Sequence, residues 1–273
     1  MNTMLAAKAL LFRSFHDDSR PLALANVWDV ASALVVEAAG ARAVATTSAG
    51  VAWSLGMPDG DRLDRQRALS VVARIAAAVQ VPVTADIEGG YAQIAPDVAG
   101  TVEGVLEAGA VGINIEDGTR AVDELAARIV VARKVAARAG VPLFINARTD
   151  VFLRGIGAPE QRVTETIARA ARYVDAGADG IFVPGIVDAE IISALTAEIL
   201  VPVNIMVAPG APNVAELGRL GVARVSFGSG LAQAAYALVQ RAAEELLATG
   251  TYDSVVGGLE YEELDGLLAS TGR

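Results

Sequence analysis

Asp86 and Glu88 stand in the stretch Thr84-Ala85-Asp86-Ile87-Glu88-Gly89-Gly90-Tyr91, just after an apolar run that opens at Val81-Pro82-Val83. Residues two apart on a strand point to the same face. Both acids therefore face one point if the strand reaches Glu88, and flank one strand mouth if it ends at Asp86. Two carboxylates at one point repel each other unless a cation lies between them, so a divalent metal is the natural partner. The simpler alternative is that one acid caps the following helix. Gly89 and Gly90 allow a sharp turn or close backbone approach to a ligand. Glu116 and Asp117 end a further apolar run, and Asn146, Arg148, Thr149 and Asp150 end the next. Asp86, Glu88 and Glu116 offer the hard oxygens that Mg²⁺ accepts alongside retained water, and Mn²⁺ is an alternative. Arg148 can fork onto a carboxylate or an enolate oxygen. Ser48-Ala49-Gly50 can present a hydroxyl and backbone N–H groups to a carboxylate. A small 2-oxo acid, held through its carboxylate and keto oxygens, fits this set. A metal would stabilise charge on the keto oxygen as a neighbouring bond breaks, giving an enolate.

Positioning these groups requires a scaffold that collects strand ends. Eight candidate strands begin near Leu22, Ala43, Val83, Gly112, Leu143, Gly180, Val203 and Ala223. Helical stretches between them include 31–39, 65–79, 97–108, 122–139 and 160–176. Val81-Pro82-Val83, Val141-Pro142-Leu143 and Val201-Pro202-Val203 lead into alternate strands at equal intervals. The others follow a helix-ending glycine, at Gly40, Gly109, Gly177 and Gly221, which suits the left-handed position after a helix. Eight βα units in this length predict an α/β fold, a (β/α)₈ TIM-type barrel, whose function sits at the C-terminal strand ends. An open doubly wound sheet would want a Gly-rich loop after strand one, and Asn26-Val27-Trp28-Asp29 is not one. Trp28 and Trp53 fall in loops at the expected mouth, where they shape an apolar pocket or cover the barrel end. Asn204 and Met206 end strand seven; Ser226 and Ser229 follow strand eight.

The chain's totals narrow the chemistry. It has 273 residues, 32 Asp+Glu against 22 Lys+Arg, a net charge of -10 and no cysteine. The acidic balance argues against nucleic acid and against a polybasic membrane anchor. Absence of cysteine excludes disulfides, thiolate metal sites and cysteine nucleophiles. His16, the one histidine, lies in a polar segment ahead of strand one and suits no Ser-His-Asp triad. Lys8 and Lys134 lie away from strand ends, which disfavours a Schiff base. No apolar run reaches membrane-spanning length without glycine or charge, and residues 1–11 suggest a docking helix. A cytoplasmic enzyme is expected.

Several of these motifs resemble one superfamily. Ser48 to Asp59 is similar to the substrate loop of the isocitrate lyase/phosphoenolpyruvate mutase superfamily, and Asp86-Ile87-Glu88-Gly89-Gly90-Tyr91 to its metal motif. Ile115-Glu116-Asp117, Asn146-Ala147-Arg148-Thr149-Asp150 and Asn204-Ile205 resemble its later strand-end motifs. The resemblance implies Asp86 as direct Mg²⁺ ligand, with Glu88 and Glu116 holding its waters and Asp59 steadying that shell. It implies that Ser48, Ala49 and Gly50 bind the substrate carboxylate, that Arg148 faces the oxo-acid oxygen, and that Asn204 lines the pocket; Trp28 is a candidate for the same pocket from its loop position alone. It further implies a homo-oligomer, a dimer of dimers, in which the eighth helix (231–248) is exchanged. Residues 1–250 then form one barrel, and 251–273 a tail packing on the barrel or a neighbouring subunit.

The departures decide the expected reaction. Lyases of this superfamily carry a Lys-(Lys/Arg)-Cys-Gly-His loop after the Glu-Asp pair; this chain has Gly118-Thr119-Arg120-Ala121-Val122. The loop's cysteine, lysine and histidine are gone, which argues against isocitrate or methylisocitrate cleavage. The Lys and Asn of the phosphonate enzymes are also missing, with Arg120 a partial substitute cation. Lyase- or decarboxylase-type cleavage of a C–C bond in a small 2-oxo or 2-hydroxy acid, through a pyruvate-like enolate, is therefore expected. Phosphonomutase chemistry on a C–P bond and a non-catalytic dicarboxylate-binding barrel are the alternatives.

Overall fold

Short runs of Val, Ile and Ala, bounded by glycine and polar residues, form parallel strands buried on both faces. In the computed structural model, which describes residues 2–269, these are β1 (Leu22–Leu24), β2 (Asn26–Val27), β3 (Val44–Thr46), β4 (Val83–Asp86), β5 (Gly112–Glu116), β6 (Phe144–Arg148), β7 (Gly180–Val183), β8 (Val203–Met206) and β9 (Arg224–Ser226). Their spatial order is β1-β9-β8-β7-β6-β5-β4-β3-β2. β1 and β2 are two halves of the first expected strand, separated at Ala25. One half pairs with β9 and the other with β3, which brings the ring almost to closure. The expected (β/α)₈ barrel is thus the architecture of this chain, its eight strands appearing as nine segments.

Alternate strand residues divide between two cores. Ile113, Ile115, Ile145, Ala147, Ile181 and Val183 join the buried helix side chains Leu125, Ile129, Ala132, Ile192 and Leu195. The intervening residues Asn114, Asn146, Asn204 and Arg224 hydrogen-bond to one another inside the ring. The N-terminal helix Asn2–Ser14 closes the bottom. Its Phe12 meets Phe144 edge-on at 5.8 Å, and His16 stacks on Phe144 at 3.9 Å. A Cβ at Gly112 would lie 2.8 Å from the Phe12 ring, so the plug itself demands glycine there. His16 is therefore a floor residue, not part of a polar segment.

Local chemistry starts and stops the helices, and Gly40, Gly109, Gly177 and Gly221 take the left-handed conformation expected of them. Asp29 caps Val30–Ala38 in a reciprocal box with Ser32, and Asp64 and Asp188 cap the helices after them. Gly140 ends Val122–Ala139 in the left-handed conformation. One helix was not anticipated: Ser48–Ser54, capped by Thr47, where a turn was expected. Tyr261–Ala269 lies against Val30–Ala38, with Leu267 on the main core; positions 270–273 of the expected tail lie outside the described residues. Among the described residues, no helix is long and apolar enough to cross a membrane.

Candidate active site

Barrel closure brings the ends of β3, β4, β5 and β6 together. β4 stops at Asp86, so the acids flank one strand mouth instead of sharing a strand face. Glu88 lies beyond it with φ +51, in the left-handed region that disfavours a side chain. Asp86 Oδ2 accepts from the backbone N–H of Ser48 at 3.2 Å and from its hydroxyl at 2.9 Å. The expected carboxylate cradle is thus partly engaged, since Ser48 serves Asp86 and the Gly50 N–H leans on Thr47 Oγ1 at 3.5 Å. Gly50 has no room for a side chain: a Cβ would lie 2.7 Å from Thr47 Cγ2 and 2.9 Å from Trp28 Cβ. Ala49 is buried in the same turn, and Trp28 forms the wall behind it with Val51 and Leu63.

Glu116 and Arg148 are register partners on β5 and β6, and their side chains meet at 2.7 Å. Arg148 also forks onto the fully buried Asp150, through Nε at 2.6 Å and Nη2 at 3.2 Å. Three of its five N–H donors are held this way, leaving one on each terminal nitrogen for a ligand. Burial pushes the Glu116 carboxyl up to about 8 despite Arg148, with the charge of Asp86 adding to the rise. Burial likewise raises Glu88 to about 7 and raises Asp86.

Among the described residues, no three acids converge as direct ligands of one ion, so the expected trio is not a ready-made coordination sphere. The arrangement fits a cation that keeps water between itself and some of these oxygens. Among the described residues Glu88 Oε1 is buried with no protein partner, and burial and then the charge of Asp86 raise both Glu88 and Glu116. Arg148 meets Glu116 directly but shares its charge with Asp150.

Two expected residues stand elsewhere. Asp59 is exposed and reaches Asp86 and Glu88 only through its charge. The backbone turns left-handed at Gly60 and Asp61, so Asp61 takes the inner place. Its N–H donates to Glu88 Oε2, its Oδ1 accepts from the Gly89 N–H at 3.1 Å, and its Oδ2 pairs with Arg120. Asn204 does not line the mouth. Both ends of its amide are bound inside the barrel, to Asn146, Ser226 and the Ile205 carbonyl. Asp117 is structural as well: fully buried, it accepts from the Asp150 N–H, Arg169 and Tyr173.

The phosphoenolpyruvate phosphomutase profile matches residues 12–247, nearly the whole barrel. The chain belongs to this family. Its wider superfamily is that of isocitrate lyase and phosphoenolpyruvate mutase, whose members are lyases and mutases. A Mycobacterium tuberculosis protein, Rv1998c, of uncharacterised function, is 43% identical over 80% of this chain and 81% of its own. A Burkholderia cenocepacia J2315 crystal structure, provisionally assigned as a phosphonomutase, is 46% identical and covers 87% of this chain and 99% of its own, with a TM-score of 0.83. Oxaloacetate decarboxylase 2 of Pseudomonas fluorescens is 31% identical over 63% of this chain and 59% of its own.

Against that family background, sequence reasoning missed Asp61 and the buried Arg128. Arg128 donates to the carbonyls of Gly89 at 2.6 Å, Ala92 at 3.0 Å and Gln93 at 3.1 Å, fixing the turn that carries Glu88. A charged residue on the buried side of the 122–139 helix was the available signal, since such a group needs partners.

Proposed function

We propose that this chain is a Mg²⁺-dependent enzyme that cleaves a C–C bond in a small 2-oxo or 2-hydroxy carboxylic acid through a pyruvate-like enolate. The observation that carries the reading is the crowding of Asp86, Glu88 and Glu116 around one mouth beside Arg148. Asp86 would hold the ion directly, with Glu88 and Glu116 through water. When bound, Mg²⁺ supplies positive charge to the oxygens of the substrate. Arg148, clamped by Glu116 and Asp150, aims its remaining donors at the oxygen that gains charge. For a 3-carboxy-2-oxo acid, the electrons of the breaking C3–C4 bond move into C2–C3, carbon dioxide leaves, and water protonates C3. No side chain with the role of the lyases' loop cysteine is needed for that step. The likeness to an oxaloacetate decarboxylase supports this reading.

Phosphonomutase action on a C–P bond is the second reading, favoured by the likeness to a phosphonomutase-assigned structure and by Arg120 beside the metal turn. Calorimetry with oxalate, a planar mimic of the enolate, tests the shared core. Binding that needs Mg²⁺ and is lost in Glu116→Ala and Arg148→Ala is expected; binding indifferent to both overturns the proposal. Release of pyruvate from 2-oxo or 2-hydroxy acids, against phosphonopyruvate, then separates the two chemistries.

Assembly belongs to the same proposal. A groove of about 520 Å³ opens outside β1 and β9, lined by Leu22, Ala23, Ala25, Val36 and Val225. The helix Gly230–Ala248 buries only Ala232 and exposes Tyr236, Leu238, Val239, Leu246 and Leu247. Exchange of this helix between copies would cover both surfaces, giving the expected dimer of dimers, in the cytoplasm. Light scattering of the full chain and of Val239→Glu checks this; identical masses for the two would refute it.

A further inference from the structure

The residues that replace the missing lyase loop place two arginines at the rim. The point where a Cβ would stand on Gly118 lies 3.8 Å from Arg120 Nη1, 4.0 Å from Arg154 Nη2 and 4.0 Å from Glu116 Oε1. The two guanidinium nitrogens are therefore at most about 8 Å apart, just outside the carboxylates of the site. One carboxylate bridges such a gap, given charge-assisted bonds of about 2.8 Å at each oxygen. Gly118, with φ +54 and no side chain, leaves the space between them open.

Each arginine is tethered to the site. Arg154 Nε holds Asp150 Oδ2 at 2.8 Å, and Asp150 also clamps Arg148. Asp150 is fully buried, whereas the Arg154 side chain is 46% exposed, and among the described residues its terminal nitrogens have no protein partner. Arg120 pairs with Asp61, whose backbone N–H holds Glu88. Its guanidinium lies flat on Gly89, where any Cβ would overlap it. Gly89 does not have a positive φ, so no left-handed backbone strain calls for glycine there. A side chain at 89 would displace the Arg120 guanidinium, the far end of a flexible side chain, from this seat.

We propose that Arg120 and Arg154 form the subsite for a second anionic group, so that the substrate is a short 2-oxo acid with a further carboxylate or phosphonate at its distal end. This rests on the enolate reading above, and it assigns specificity to residues outside the motifs shared with the superfamily. Both are specificity-determining groups that would touch the substrate's distal oxygens.

The test uses the full-length protein with Mg²⁺ and three probes: oxalate, which lacks a distal group, 3,3-difluorooxaloacetate and phosphonopyruvate. Arg154→Met and Arg120→Met leave oxalate affinity within about twofold and weaken the diacid by roughly 10- to 100-fold, the worth of a charge-assisted bond. Arg154→Lys recovers part of the loss, as a retained charge without the fork should. A greater loss for phosphonopyruvate than for the difluoro diacid identifies the phosphonate as the distal group, and the reverse identifies the carboxylate. Equal weakening of oxalate and diacid overturns the proposal, because it shows Arg154 acting only through Asp150 and Arg120 only through Asp61. Arginine-dependent diacid binding without oxalate binding upholds the subsite and sinks the enolate reading; binding of neither probe sinks both.

Discussion

His16→Phe tests how the barrel floor is built. The ring stacks on Phe144 at 3.9 Å and meets Phe12 edge-on at 5.0 Å, while Nδ1 contacts the Phe12 carbonyl at 3.0 Å and Nε2 has no partner among the described residues. Burial lowers its pKa from 6.5 to about 3, with the nearby charge of Arg224 acting in the same direction. The folded protein thus keeps the ring neutral, whereas the unfolded chain takes a proton below about pH 6.5. Between about pH 6.5 and 3 the unfolded state binds more protons, so this group's contribution is complete above 6.5 and falls as pH falls. Each unit is worth about 1.4 kcal/mol, giving roughly 2 kcal/mol lost at pH 5. Phenylalanine keeps the stacking, cannot titrate, and loses one hydrogen bond of about 1 kcal/mol. Wild type is therefore expected to be the more stable at pH 8 and the less stable at pH 5, the two curves crossing at roughly pH 6. Glu88 and Glu116 are raised, carry the opposite sign over this range, and are common to both proteins, so they cancel in the difference. Urea unfolding of both metal-free proteins at the two pH values measures it. Parallel stability curves would refute a neutral, buried His16.

Three further outcomes follow from other groups. Arg224 is buried beneath the site with Nε and Nη1 unpartnered among the described residues and one bond of 3.2 Å to Asn114, and burial lowers it to about 9; Arg224→Met should raise the urea midpoint by the equivalent of about 1–2 kcal/mol, and a marked loss would show that the charge stabilises the fold. Asp117→Ala leaves Arg169, Tyr173 and the Asp150 N–H without their shared acceptor, so a loss of roughly 3–5 kcal/mol is expected, and a thermal melt within a degree of wild type contradicts that role. Burial raises the Glu116 carboxyl above the ordinary carboxylate range, so Mg²⁺ binding should be accompanied by proton release and should tighten as pH rises, and heats independent of buffer ionisation would exclude this linkage.

Strand positions, the glycines that end helices and part of the set of strand-end residues were legible in the sequence. Leu22, Val83, Gly112, Gly180 and Val203 begin strands where expected, and the others shift by a single residue. Such features follow from local rules: hydrophobic period, proline and glycine punctuation, and the rise of a strand that always delivers its last side chains to the same end of a parallel barrel. Asp86, Glu116 and Arg148 were therefore found by reading strand ends alone. Asn204 sits at such an end too, yet its layer of the ring lies one step below the mouth, and only the shear of the closed barrel decides that. Asp59 and Asp61 are two residues apart in an irregular loop, and the left-handed turn at Gly60 and Asp61 determines which of them meets Glu88. Arg120 and Arg154 come from different βα loops, and His16 from a helix before the barrel; the sequence sets their chemistry but not their neighbours. Side-chain pairing across loops depends on the stagger and closure of eight strands at once, a property of the whole chain that no local pattern contains.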